Sequence, residues 1–189
     1  MLMDEADSAF DAAARTTAGV DRSLPLAKEV ETLFDRWRAP LLGYVVTLRL
    51  PVEEGEDIVQ EVFLSLFQHL RRGKSRENLR GWIFRVGHNL ALKRREGMGR
   101  RLVQHHERDE LEHVRDPSPN PESVVVLKER QARLVAVVGA LSEQDRCCLY
   151  LRAEGLRYRE IAEVLGISLG SVAVSLGRSL DRLRTAGER

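Results

Sequence analysis

Cysteine is nearly absent from this 189-residue chain: there are two, Cys147 and Cys148, side by side. Immediate neighbours rarely reach disulfide geometry with each other, so no disulfide framework holds the fold. On a helix that packs into a core, the pair reads as inert buried thiols. A redox switch would need an exposed, activated thiolate. No run of about eighteen apolar residues occurs, which leaves no helical membrane span. The N-terminus, MLMDEADSAFDAAARTT, is acidic and lacks the basic-then-apolar order of a secretory signal. A cytoplasmic protein without membrane insertion is the expectation. Strand-type alternation and internal repeats are missing too. So are a nucleotide loop, a nucleophile elbow and a paired-carboxylate arrangement; no enzyme activity, catalytic residue or cofactor is expected. His105, His106 and His113, near Glu107 and Glu110, have metal-capable side chains, but their spacing matches no helical zinc motif and no metal site is expected. Aromatic residues make up only 5%, while the hydrophobic (43%) and charged (31%) fractions are ordinary for a folded soluble protein.

What is present is charge, unevenly placed. The net charge of +1 hides a block at 71–101 with eleven Arg or Lys against Glu77 and Glu96, a net +9. Residues 25–70 carry four positive and eight negative charges, a net −4. A basic block beside an acidic one suggests two different partners, one of them polyanionic. The basic block also holds Trp82, Phe84, His88 and Asn89, which can stack on or hydrogen-bond to bases. A tryptophan at helical spacing is more often core, and core is the expectation for Trp82.

Hydrophobic periodicity is helical throughout. Residues 1–24, rich in Ala, Asp and Thr, read as a flexible acidic tail in which 10–15 could form a short helix. A first domain spans 25–98. Its first helix carries Val30, Leu33, Phe34, Trp37, Leu41, Leu42, Val45 and Val46, and Pro40 should kink or split it. Pro51 and EEGED open a second, strongly amphipathic helix with Ile58, Val59, Val62, Phe63, Leu66, Phe67 and Leu70 on one side. RRGKSREN reads as a loop, and Leu79, Ile83, Val86 and Leu90 form the inward side of a third helix over 79–95, cations outward. Residues 99–121 lose periodicity and end in DPSPNPES, which holds three of the six prolines. That segment reads as a linker. The second domain spans 122–189. The fold class is therefore all-α: two small helical domains joined by a flexible linker.

The stretch RYREIAEVLGISLGSVAVSLGRSLDRLR (157–184) reads as a helix-turn-helix. Ile161, Ala162 and Leu165 line one face of the first helix, and Gly166 suits the left-handed position that ends it. Ile167 can plug the angle between the helices, and Ser168 is a plausible N-cap for the second. Val172, Leu176, Leu180 and Leu183 are expected as its buried side. Such a motif docks its second helix in the major groove of duplex DNA.

Three segments in order then resemble one family: DIVQEVFLSLF (57–67), NLRGWIFRVGHNLALKRR (78–95) and LSEQDRCCLYLRAEGLRYREIAEVLGISLGSVAVSLGRSLDRLR (141–184). Over residues 25–184 the chain resembles a bacterial RNA polymerase sigma factor of the sigma-70 family, in its small two-domain, extracytoplasmic-function group. The resemblance implies a transcription initiation subunit. Its partners would be core RNA polymerase (the β′ clamp helices and β flap) and promoter DNA, with an anti-sigma factor as a candidate regulator. Asp57, Gln60 and Glu61 fall on the polar side of the motif that meets the clamp helices. Asn78, Arg80, Arg85, His88, Asn89, Lys93 and Arg94 match the part that recognises and opens the minus-ten element, where cations hold phosphates and polar or aromatic groups receive bases. Lys93 stands where the family frequently has an acidic residue.

The C-terminal domain, similarly, would read the minus-thirty-five element through Ser168, Gly170, Ser171, Val174, Ser175, Arg178 and Arg182. Here the chain departs from the family's Gly-Thr-Val-Lys-Ser-Arg-like pattern: Gly170-Ser171-Val172 is followed by Ala173, Val174 and Ser175, so two cations are missing. Gly177 also replaces a usually larger side chain. Fewer cations mean weaker upstream contact and a shallower salt dependence. The competing readings are a stand-alone helix-turn-helix regulator and a degenerate sigma-like interaction protein.

Overall fold

The computed structural model describes the backbone of residues 4–102 and 132–187, and the side chains of 24–98 and 132–187. Every regular element among them is a helix: α1 (Asp4–Thr47), α2 (Val52–Arg71), α3 (Leu79–Leu102), α4 (132–139), α5 (Glu143–Ala153), α6 (Tyr158–Leu165) and α7 (Leu169–Gly187). The linker segment 103–121, with its histidines, and the start of the second domain at 122–131 lie outside the described residues. Residues 99–102 belong to α3 rather than to the linker.

Two expectations for the N-terminal half need correction. The backbone is helical from Asp4, so the segment assigned to a tail continues into α1; its six alanines favour the helix. Pro40 does not split the helix, nor does Pro25. An interior proline costs about 3 kcal/mol. Beyond Pro40, however, Leu41, Tyr44, Val45 and Leu48 are all at most 1% exposed. Burying side chains of this kind contributes about 1.5–3 kcal/mol each, so packing outweighs the break.

The first domain packs α1, α2 and α3 into one core. Ile58, Val59, Val62, Phe63, Leu66 and Leu70 face inward from α2 as the periodicity requires. Phe34 meets Phe63 edge-on at 5.0 Å, and Phe84 takes edge contacts from Trp37 and Tyr44. Trp82 is only half-buried, its ring 4.9 Å from His69. The loop before α3 ends at Asn78, whose φ of 50° is set by its role as a cap: its Oδ1 accepts from Gly81 N at 3.1 Å.

In the second domain Ser142 caps α5 by accepting from Asp145 N at 3.1 Å. Gly166 takes the left-handed conformation (φ 65°) that ends α6. Ser168 Oγ then accepts from Ser171 N at 3.0 Å to start α7. The axes of α6 and α7 bend by 106°, within the helix-turn-helix range. The buried side of α7 differs from expectation: Leu180 is 55% exposed, while Val172, Ser175, Leu176 and Ser179 are buried. α5 packs on α7, and Gln144 Nε2 donates to Ser175 Oγ at 3.0 Å.

The two domains also pack against each other. α5 and α6 lie on α1 and α3, and a single hydrophobic cluster runs through both domains.

Candidate functional site

Three surfaces carry the expected residues. On α2, Asp57, Gln60 and Glu61 are exposed on the face opposite the core. Leu64, one turn further on the same face, is 65% exposed and was not singled out from sequence. An apolar side chain set among carboxylates and an amide suits a helix that offers both charge and an anchor to a basic partner surface.

On α3, Arg85, Asn89 and Lys93 are exposed at four-residue intervals and form one basic face. The other residues expected beside them are engaged elsewhere. Asn78 uses its side-chain oxygen as the cap of α3. Arg80 turns to the second domain, where Nη1 donates to Glu154 O at 3.3 Å and Nη2 lies 3.6 Å from Glu160. Arg94 crosses to α2, hydrogen-bonding Glu54 at 2.5 Å. His88 is not on the surface at all: it is 8% exposed, and its Nδ1 shares a 2.8 Å hydrogen bond with Tyr44 Oη. Burial lowers the His88 pKa below that of a free imidazole; the Glu143 carboxylate opposes this and Arg95 adds to it. Neutral and enclosed, His88 is withdrawn as a base contact in this arrangement. Its place four residues after Phe84, itself 0% exposed, was the available signal. Phe84 is likewise core.

On α7, Ser168, Gly170, Val174, Arg178 and Arg182 are exposed and Ser171 is half-exposed. Ser175 is fully buried and cannot touch DNA, because it receives Gln144 instead. Arg178 Nε lies 3.6 Å from Asp145 Oδ2, so one of the remaining cations is already partnered within its own domain. The sequence reading missed Asp145, which is 2% exposed.

Between the domains lies a polar seam that the sequence did not reveal. Arg95 on α3 donates to Glu143 at 2.7 Å, and Arg146 Nε donates to Thr47 O at 3.3 Å. Tyr150 Oη donates to Pro40 O at 2.9 Å, directly above Gly43, where a Cβ would come within 2.3 Å of that hydroxyl. Tyr44 is sealed beneath, fully buried, between Phe84 and His88 on one side and Tyr150 and Cys147 on the other. Burial raises the pKa of both cysteine thiols, that of Cys148 to about 11, and that of the Tyr150 phenol to about 12. The thiols are therefore protonated and unreactive as placed. Among the described residues no cluster of His, Cys, Asp or Glu has the geometry to hold a metal ion, and no single helix is long and apolar enough to cross a membrane.

The model for Sigma-70 region 2 matches residues 33–101, and that for Sigma-70, region 4 matches 131–183. The chain is 32% identical over 137 residues to the ECF RNA polymerase sigma factor ShbA of Streptomyces griseus, covering 71% of this chain and 72% of that one. It is 30% identical over 132 residues to ECF RNA polymerase sigma factor SigE of Mycolicibacterium smegmatis, covering 69% of this chain but only about half (51%) of the relative. In fold it is similar to the sigma factor RpoE from Bartonella quintana, solved in complex with the anti-sigma factor NepR, with a TM-score of 0.61 at 18% identity over 84% of this chain and 96% of that one. With both regions in order and a relative matched along most of its length, the chain belongs to the sigma-70 family of RNA polymerase sigma factors, in its extracytoplasmic-function group.

Proposed function

We propose that this protein binds core RNA polymerase and directs it to promoters, acting in the cytoplasm where both are found. The observation that carries the reading is the division of the first domain. An exposed acidic face on α2 (Asp57, Gln60, Glu61 around Leu64) backs onto an exposed basic face on α3 (Arg85, Asn89, Lys93). The first suits basic residues on the β′ clamp helices. The second suits the phosphates of the minus-ten element as its strands part, with Asn89 able to receive a base. α7 supplies the upstream contact through Ser171, Val174, Arg178 and Arg182, with the β flap as support for this domain. An anti-sigma factor is included as regulator, as in the Bartonella quintana complex.

The packing of the domains adds a requirement. The two promoter elements lie about 25 base pairs apart, roughly 85 Å at 34 Å per turn. Here α3 and α6 are in direct contact, with Arg80 3.3 Å from Glu154 O. Both elements cannot be engaged in this arrangement. The seam must open, freeing Arg80 from Glu154 O and Glu160 and Arg95 from Glu143.

In vitro transcription with purified core polymerase on fragments of the native genome tests the reading. Start-site-specific transcripts that depend on the protein are expected. Their absence, together with no retention of core polymerase in a pull-down, would overturn it.

A further inference from the structure

Arg94 stands between the two faces of the first domain. Its backbone belongs to α3, next to exposed Lys93, yet its guanidinium lies against α2. Nη1 bonds Glu54 at 2.5 Å and sits 3.9 Å from Asp57; Nη2 is 3.9 Å from Glu61. Arg94 borders an open groove of 310 Å³ lined also by Glu54, Glu61, Leu90, Lys93, Gly97 and Met98, which leaves the side chain room to move. Among the described residues, only Glu54 holds it at hydrogen-bonding distance. Asp57 and Glu61, whose side chains are 66% and 51% exposed, share its charge without a hydrogen bond. These two are the carboxylates assigned above to the polymerase, while Arg94 belongs by sequence to the DNA-facing segment.

The five N–H donors of a guanidinium lie in one rigid plane, so while they face the α2 carboxylates they cannot also reach a phosphate away from α2. We propose that Arg94 couples the two faces, passing between the α2 carboxylates and a nucleic-acid phosphate, so that either partner's arrival favours the other's. The inference rests on the assignment of those faces under Proposed function. In the free protein Arg94 offsets part of the negative field that a basic partner helix would seek. When such a helix takes Asp57 and Glu61, Glu54 alone restrains Arg94, and its transfer to phosphate costs less. When DNA takes Arg94 first, the acidic face is left more negative. Linkage makes the two effects equal in size. The groups are about one-third to two-thirds exposed, so the effect is modest.

Labelled full-length protein titrated with core RNA polymerase, without DNA, gives the first test. Arg94→Ala is expected to bind about two- to fivefold more tightly than wild type, the scale of an exposed ion pair, with Arg94→Lys between the two. Unchanged or weaker binding overturns the proposal, since a pure DNA contact or a merely structural arginine predicts those results. The reciprocal test uses a duplex with an unpaired bubble and no polymerase. Glu54→Gln should tighten binding more in the wild-type background than in Arg94→Ala, whereas equal gains overturn the coupling. Asp57→Asn with Glu61→Gln serves as control. If that pair leaves polymerase affinity unchanged, the assignment of the acidic face is at fault and the proposal falls with it.

Discussion

Gly43→Ala is a one-carbon probe of the domain seam. The new methyl group would start 2.3 Å from Tyr150 Oη and 3.3 Å from Cζ, on a ring whose hydroxyl is tied to Pro40 O at 2.9 Å. Ordinary contact requires a retreat of about 1 Å or more, and overpacking of this kind costs about 1–3 kcal/mol. That shifts the balance between packed and separated domains by roughly 5- to 150-fold. α1 itself gains, because replacing a mid-helix glycine with alanine stabilises a helix by up to about 1 kcal/mol. The substitution therefore loosens the seam while firming the domain that carries it. Cys147 reports the outcome: it is 2% exposed beneath the seam, whereas Cys148 is enclosed within the second domain near Ser175. Intact-mass analysis after maleimide treatment should show one fast adduct in Gly43→Ala and none in wild type, with a larger radius of gyration in scattering. Adding Tyr150→Phe removes the clashing oxygen and should slow the labelling again, a sign of interaction rather than addition. Wild-type labelling rate and radius in Gly43→Ala would refute the reasoning.

Three further outcomes follow from the same geometry. The His88 pKa is lowered on folding, so the unfolded chain binds the extra proton and stability falls as pH drops through about 6.5, by at most about 1.4 kcal/mol per unit; melting curves between pH 7.5 and 5 should show the slope, and His88→Gln should flatten it. Ala173→Lys restores a cation to an exposed position on α7 and should steepen the log–log salt dependence of DNA binding by about 0.9 if the new lysine meets a phosphate; an unchanged slope would mean that α7 faces away from the duplex. Leu64→Ala should weaken core polymerase binding by about 1 kcal/mol or more, as truncating a central anchor does, and leave the melting temperature nearly unchanged because the side chain is 65% exposed.

Much of the fold could be read from spacing alone. The α2 core face and the Gly166–Ser168 turn are set by local rules, periodicity in one case and left-handed backbone plus capping in the other. Errors came where a neighbouring element overrides the local rule. Pro40 is carried through by the burial beyond it, and the buried side of α7 holds Ser175, bonded to Gln144 of α5, and Ser179, while Leu180 is exposed. Among the site residues, exposure on α2 matched the motif because amphipathic helices separate their faces cleanly. On α3 the same alternation was blurred, since its inner side holds a histidine that could equally well read bases. The seam left no trace in the sequence, because an arginine destined for a carbonyl on another domain looks like any surface cation.

The acceptors in that seam have a consequence for how the protein can change. Arg80, Arg146 and Tyr150 donate to Glu154 O, Thr47 O and Pro40 O, all of them main-chain oxygens. A main-chain oxygen survives nearly any substitution at its own position. Half of each of these three bonds is therefore invisible to point mutation, unlike the Arg95–Glu143 pair, where either partner can be changed. Divergence among descendants of this chain could adjust how firmly the domains hold together by altering those three donors, while the side chains of Glu154, Thr47 and Pro40 leave these bonds untouched so long as their backbone stays in place.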